Sequence, residues 1–316
     1  MNERSERRGL IEVLCAMSIA GSTVVVGKLL SVRIPVFLAM ELSLVAALVA
    51  ILPAQIVHRR ELRLLKGREL AYMFLQAFFG IVLFRALTLY GLRLTSAINA
   101  GVITSAAPAV MAVLAAVALR ERIGTAGIAG VLLSVTGLLL VNLWGWSAST
   151  GAGYLAGNLL VLGAMLCEAL LTVFRKSSGG RIGSVTNTTV LVAMSALMTF
   201  PFALRDLRGF SLDRIEPVGW ASVIYYGAVA TNVAYVLWGR GALRISATMT
   251  GLATAALPVT AIVLSALVLG EHLGPVHVLG AAAVIAGILI GRRQPGPKGA
   301  IGIESRPTSP SSSCER

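Results

Sequence analysis

The chain has 316 residues, of which 56% are hydrophobic and only 13% are charged, with a formal net charge of +13. An ordinary water-soluble domain is excluded, because the apolar residues come in runs of roughly 20, the length that crosses a bilayer as a helix. A nucleic-acid-binding surface is excluded as well, because Lys and Arg sit in short loops and tails between those runs, as in membrane proteins.

A tail over 1–9 carries Arg4, Arg7 and Arg8. Ten spans are then predicted, at 10–30, 34–57, 69–92, 95–119, 123–143, 153–174, 184–204, 217–243, 246–269 and 275–291. The first is too long for a signal-peptide core and lacks a small-residue cleavage site after it, so it is read as a retained helix. The tail over 292–316 is rich in Pro, Gly and Ser and is expected to be disordered and cytoplasmic. With the N-terminus inside, most Lys and Arg face the cytoplasm, so both termini are placed there in a bacterial-type inner (plasma) membrane. The 205–214 loop, with Arg205, Arg208 and Arg214, is the main dissenter.

An internal repeat organises these spans. Ser96, Ala97, Gly101, Thr104, Pro108, Glu121, Gly124, Gly130 and Gly137 recur, at one fixed offset, as Ser246, Ala247, Gly251, Thr254, Pro258, Glu271, Gly274, Gly280 and Gly287. The offset covers five spans, an odd number, so the second copy enters the bilayer from the opposite side. The expected fold class is an all-α membrane protein of ten transmembrane helices in two inverted five-helix repeats, over 10–143 and 153–291.

The repeated unit resembles an EamA domain of the drug/metabolite transporter superfamily. The resemblance rests on Pro108 and Pro258 in mid-helix, on Leu119, Arg120, Glu121 and Leu269, Gly270, Glu271, and on the glycine-spaced helices that follow. It implies a secondary active transporter, similar to exporters of amino acids and other metabolites, with importers among its members. The run from Gly21 to Lys28 also resembles members associated with opine-type metallophore export. The family often has an Arg in the second span; Glu41 stands near that place here, so that Arg's anion-binding role is not carried over.

An ionisable group inside a span costs on the order of 2.5–3.5 kcal/mol and is a functional candidate by default. Glu41, Arg85 and Glu168 are such groups. Glu41 and Arg85 each lie roughly 10 Å from the outer ends of neighbouring spans, so they are level. They are read either as a structural ion pair, or as a site in which Arg85 meets a substrate carboxylate and Glu41 takes an amine or a coupling proton. Glu168, in the inner half of the sixth span, suits proton coupling or substrate contact. Among uncharged groups, Asn232, Thr104 and Tyr235 suit ligand or helix–helix hydrogen bonds. Pro108 and Pro258 are candidate hinges. Glu121 and Glu271 are candidate structural caps of the helices that follow them. Glycine spacing in the fifth and tenth spans suits close packing, within the bundle or in a homodimer.

No enzyme motif, metal-ligand spacing or channel filter is present, so catalytic residues, metals and cofactors are expected to be absent. The expected partners are a small-molecule substrate, the bilayer and a coupling proton. The expected function is efflux of a small polar or amino acid-like metabolite by alternating access. Import of a vitamin-like metabolite is the alternative.

Overall fold

The structure is a computed structural model that describes residues 3–104, 110, 125, 128–130, 132–133, 135–137, 140, 151–177, 182–242, 244, 253 and 256–291. Among them every regular element is helical. Six helices are long and apolar enough to cross a membrane: Arg4–Arg33, Val36–Val57, Gly67–Leu94, Gly153–Leu171, Val185–Arg208 and Pro217–Trp238. They match the predicted first, second, third, sixth, seventh and eighth spans. Helices Ala256–Leu269 and Pro275–Gly291, shorter, fall where the ninth and tenth are expected. Most of the predicted fourth and fifth spans, and the tail over 292–316, lie outside the described residues.

In chain order the elements are α1 (Glu3–Arg33), α2 (Val36–Val57), α3 (Gly67–Ala77), α4 (Phe84–Leu94) and α5 (Ala97–Thr104), then α6 (Gly151–Ser177), α7 (Ser184–Arg208), α8 (Pro217–Ile224), α9 (Ala234–Ala242), α10 (Ala256–Leu269) and α11 (Pro275–Gly291). α1 starts well before residue 10, because the Arg and Glu of the expected tail are good helix formers and extend the span outward. Two of the spans are not purely α. A π-helical segment, Phe78–Leu83, joins α3 to α4, and a second, Tyr225–Val233, joins α8 to α9. The two fall on the third helix of each repeat.

Large apolar side chains such as Val49, Leu52, Leu159 and Leu197 point outward from the spans, 49–76% exposed. Such a surface is stable in lipid and adhesive in water. Inside, α2 packs on α7, α4 on α6, α1 on α9 and α10, and α5 on α10.

α2 and α7 run antiparallel, and their ends cap one another. Asp206, near the end of α7, accepts from the amides of Phe37 (3.1 Å) and Leu38 (3.3 Å) at the start of α2. Glu61, just past the end of α2, accepts from the amide of Gly183 (3.0 Å) at the start of α7. These are the second helices of the two repeats, so each repeat closes the other's open helix end.

Two glycine crossings show the same pairing. A side chain at Gly91 would meet the carbonyl of Gly157 at 2.9 Å, and one at Gly157 the carbonyl of Gly91 at 3.0 Å. A side chain at Gly241 would meet the carbonyl of Gly9 at 2.7 Å in the equivalent place, where α9 crosses α1. With no hydrophobic drive between helices in lipid, such backbone contact carries much of the association.

Gly157→Leu therefore wedges α4 from α6. The variant is expected to lose about 1–3 kcal/mol of stability, read as a lowered melting temperature in detergent. An unchanged melt would refute the close crossing.

Candidate functional site

Arg85 lies in the first turn of α4, directly after the first π segment, and is 6% exposed. Its Nη1 donates to Ser43 Oγ at 3.1 Å, and its Nη2 donates to Thr231 Oγ1 at 2.5 Å. The guanidinium stacks over the Tyr226 ring, 4.9 Å from the centroid. Tyr235 is near enough to act on it electrostatically.

The two hydroxyls are oriented for this. Ser43 Oγ donates its own proton to the carbonyl of Met40 (2.8 Å), and Thr231 Oγ1 donates to the carbonyl of Tyr226 (2.9 Å). Their lone pairs are left for the guanidinium. The Thr231–Tyr226 bond spans five residues, which is the π pattern. In an α-helix residues five apart diverge by about 140°; the wider π turn brings them to nearly one face. That is how one helix presents both a ring and a hydroxyl to Arg85. Gly227 beside them lets this segment press on the Ser43 carbonyl of α2.

Among the described residues no carboxylate comes within ion-pair distance of Arg85; the ion pairs are Arg33–Glu216 and Arg244–Glu12. The Glu41–Arg85 ion pair, one of the two readings of these residues, does not form. Glu41 is half-buried and accepts instead from Thr199 Oγ1 of α7 at 2.6 Å. The depths agree, but the faces do not. Glu41 and Ser43 are two positions apart, about 200° around α2, and α2 turns its Ser43 face to Arg85.

Glu168 sits on α6 beside the level of Arg85. α6 runs antiparallel to the third span, with contacts at Gly80–Leu171 and at Gly91–Val161 that bracket both residues. Glu168 shares a face with Val161, Ala164 and Met165, at spacings of seven, four and three, and all three are buried. Glu168 itself is exposed.

The remaining candidates separate. Asn232, 9% exposed, donates from Nδ2 to the Ala47 carbonyl at 2.9 Å, and its Oδ1 has no partner among the described residues. Tyr235 is 46% exposed. Thr104 bonds its own helix at Gly101 and is not brought to Arg85. Pro258 is buried in α10. Pro108 and Glu121 lie outside the described residues.

Glu271 caps a different helix from the one expected. Gly270 ends α10 with φ of +67°, a left-handed turn suited to glycine. Glu271 then faces back to α5, accepting from the amides of Ala97 and Ile98 at 2.8 Å each. The start of the following helix is served by His277, whose Nδ1 accepts from the Gly274 amide at 3.1 Å. Lys28 reaches the carbonyls of Leu92 and Thr95, at the end of α4. Thr95 Oγ1 donates to Asn158 Oδ1 at 2.5 Å. The α4–α5 break is thus tied to α1, α6 and the α10–α11 turn.

Ser43, Thr199, Tyr226 and Thr231 were not singled out from the sequence. The available signal was a hydroxyl or Tyr beside a candidate already chosen: Ser43 by Glu41, Thr231 by Asn232.

Because Glu41 and Arg85 serve different neighbours, exchanging them (Glu41→Arg with Arg85→Glu) is expected to abolish transport while leaving membrane insertion normal. Retained transport would show that the two act as a simple pair.

Residues 7–143 and 155–291 each match the EamA-like transporter family. The chain is 34% identical to the uncharacterized transporter YetK of Bacillus subtilis (strain 168), over 89% of this chain and 85% of that one. It is 25% identical to a probable terminal-alkyne amino-acid exporter of Streptantibioticus cattleyicolor, over 72% and 75%. A protein of known crystal structure shares the fold with a TM-score of 0.60 at 17% identity, over 92% of this chain and 96% of that one.

Proposed function

The chain belongs to the EamA-like transporter family, a multi-pass membrane protein with a small-molecule substrate, and from that premise we propose that it is a secondary active exporter of a carboxylate-bearing, amino acid-like metabolite. One observation carries the substrate class. Arg85 is a buried cation surrounded by hydroxyls and a ring face, with no carboxylate beside it among the described residues. A buried charge without a counter-charge is expensive. A planar carboxylate offers a guanidinium two parallel acceptors and removes that cost. The resemblance to a probable amino-acid exporter favours the same class.

In the proposed architecture ten spans form two inverted repeats, with both termini in the cytoplasm of an inner-membrane protein. The antiparallel packing of α2 on α7, and the matched crossings at Gly91 and Gly241, support the inversion. Arg85 is contacted from both repeats, by Ser43 from the first and by Thr231 and Tyr226 from the second. A site at such a seam is the place where rocking of one repeat against the other exposes a ligand to each side in turn. Glu168, accessible on the packing face of α6, is the proposed proton-coupling group. The tie between Lys28, Glu271 and the α4–α5 break is the proposed gate at the outer end. Pro258, with Pro108, is the proposed hinge.

Metabolites are to be compared inside and outside cells that lack or overproduce the protein. A carboxylate-bearing compound is expected to build up inside without it and outside with it; the reverse pattern would establish import. Arg85→Lys keeps the charge but loses the two-pronged geometry, and is expected to lower transport on the order of ten-fold or more, about 1.4 kcal/mol. Unaltered transport by Arg85→Gln would sink the assignment of Arg85 to the site.

A further inference from the structure

The crossings at Gly91 and Gly241 are repeat-equivalent down to their flanks. At the first, a side chain on Gly91 would meet the Gly157 carbonyl, Val161 and Leu160, and one on Gly157 would meet Leu94. At the second, a side chain on Gly241 would meet the Gly9 carbonyl, Val13 and Glu12. Leu160 and Glu12 each stand one turn after Gly157 and Gly9, and Leu94 and Arg244 each stand one turn after Gly91 and Gly241. One crossing is therefore flanked by two leucines, and the other by a carboxylate and a guanidinium. These two charges meet. Arg244 Nη1 donates to both carboxylate oxygens of Glu12, at 2.5 Å each, and the side chains are 36% and 18% exposed.

The two crossings lie at opposite ends of the bundle. Lys28, near the end of α1, reaches the carbonyls of Leu92 and Thr95 beside Gly91, whereas Gly9 lies about 28 Å earlier along α1. Each crossing joins a helix of the first repeat to one of the second, α4 to α6 and α1 to α9, so each closes the seam between repeats at its own end. Opening an end to an aqueous path wets the flanks of its crossing. Wetting Leu94 and Leu160 puts apolar surface into water, which is unfavourable. Wetting Glu12 and Arg244 exchanges their bond for hydration, and a water-accessible ion pair loses little in that exchange.

We propose that the Glu12–Arg244 pair is an electrostatic latch, which closes the seam at the end of the bundle where α1 begins and yields to water more readily than the leucine-flanked crossing at the other end. The inference rests on the alternating-access reading above and adds a direction to it. A carrier biased to open at the Glu12 end meets its ligand first from that side. Under the proposed topology that side is the cytoplasm, as export requires.

The test uses the full chain in phosphatidylcholine nanodiscs, where reagent reaches both faces, with Cys15, Cys167 and Cys314 replaced by Ser. Val13 and Val161 are both 0% exposed and sit at equivalent places beside the two crossings. Val13→Cys and Val161→Cys, made one at a time, report opening at each end by their rate of labelling with N-ethylmaleimide. Val13→Cys is expected to label faster than Val161→Cys. Adding Glu12→Gln, or Arg244→Gln, is expected to quicken labelling at Val13→Cys on the order of five-fold, and to leave Val161→Cys unchanged or slower. Glu12→Gln with Arg244→Gln is expected to label no faster than either alone, since the same interaction is lost each time. Unchanged rates in the single variants, additive single effects, or faster labelling at Val161→Cys than at Val13→Cys would overturn the latch. So would equal quickening at both reporters, which is what a bundle loosened throughout would give. Quickening at Val13→Cys that slows Val161→Cys is the exchange that alternating access requires; quickening at Val13→Cys with Val161→Cys unchanged keeps the latch and counts against that reading.

Discussion

A helix that ends in or near hydrocarbon leaves amides and carbonyls that water cannot reach, and this constraint shapes many of the bundle's polar contacts. The chain answers it with side chains from distant helices. Asp206 and Glu61 close the starts of α2 and α7, and Glu271 closes the start of α5. Lys28 closes the end of α4, and Arg93 reaches the carbonyls of Ser31 and Ile34 at the end of α1. Acids sit at starts and bases at ends, the signs that the helix dipole favours. Each cap joins elements far apart in sequence, so α1, α2, α4, α5 and α7 cannot slide without exchanging a cap.

Arg85 breaks that pattern. It lies in the middle of the continuous span Gly67–Leu94, not at an end of it, and no opposite charge meets it among the described residues. Two of its five N–H donors meet hydroxyl oxygens, which compensate hydrogen bonds but not charge. The Tyr226 face offers a little more, worth on the order of 2 kcal/mol when desolvated. The result is a site that favours an anion by sign before any detail of shape, and that repels a cation outright.

The repeat, six of the predicted spans and the placing of Arg85 within one of them were legible in the sequence, because each is carried by spacing or by a charge within an apolar run. Azimuth was not. Counting residues from a span's end gives depth, and on depth Glu41 and Arg85 belong together; the turn of α2 puts Glu41 toward Thr199 instead. The two π segments leave no mark in composition, yet each shifts every later side chain around the axis. That shift is why Tyr226 and Thr231, and not a residue at ordinary helical spacing, meet Arg85. Glu271 was misassigned for a related reason: sequence proximity points to the next helix, whereas the left-handed Gly270 aims the carboxylate at α5.

The caps and the cation together constrain how such a protein can work. A ligand moves a two-state equilibrium only through a difference in its affinity for the two states. Contacts confined to one repeat move with it as a body and supply no such difference. Ser43 belongs to the first repeat, and Tyr226 and Thr231 to the second, so in the proposed alternating-access cycle the pocket around Arg85 changes shape. In that cycle the end caps that join the repeats are exchanged as well. A carboxylate on Arg85 takes N–H donors that the two hydroxyls leave free, and so adds a ligand to the residue that bridges the repeats at mid-bundle. In the proposed cycle that shared residue is the route by which binding at the centre is felt at the ends.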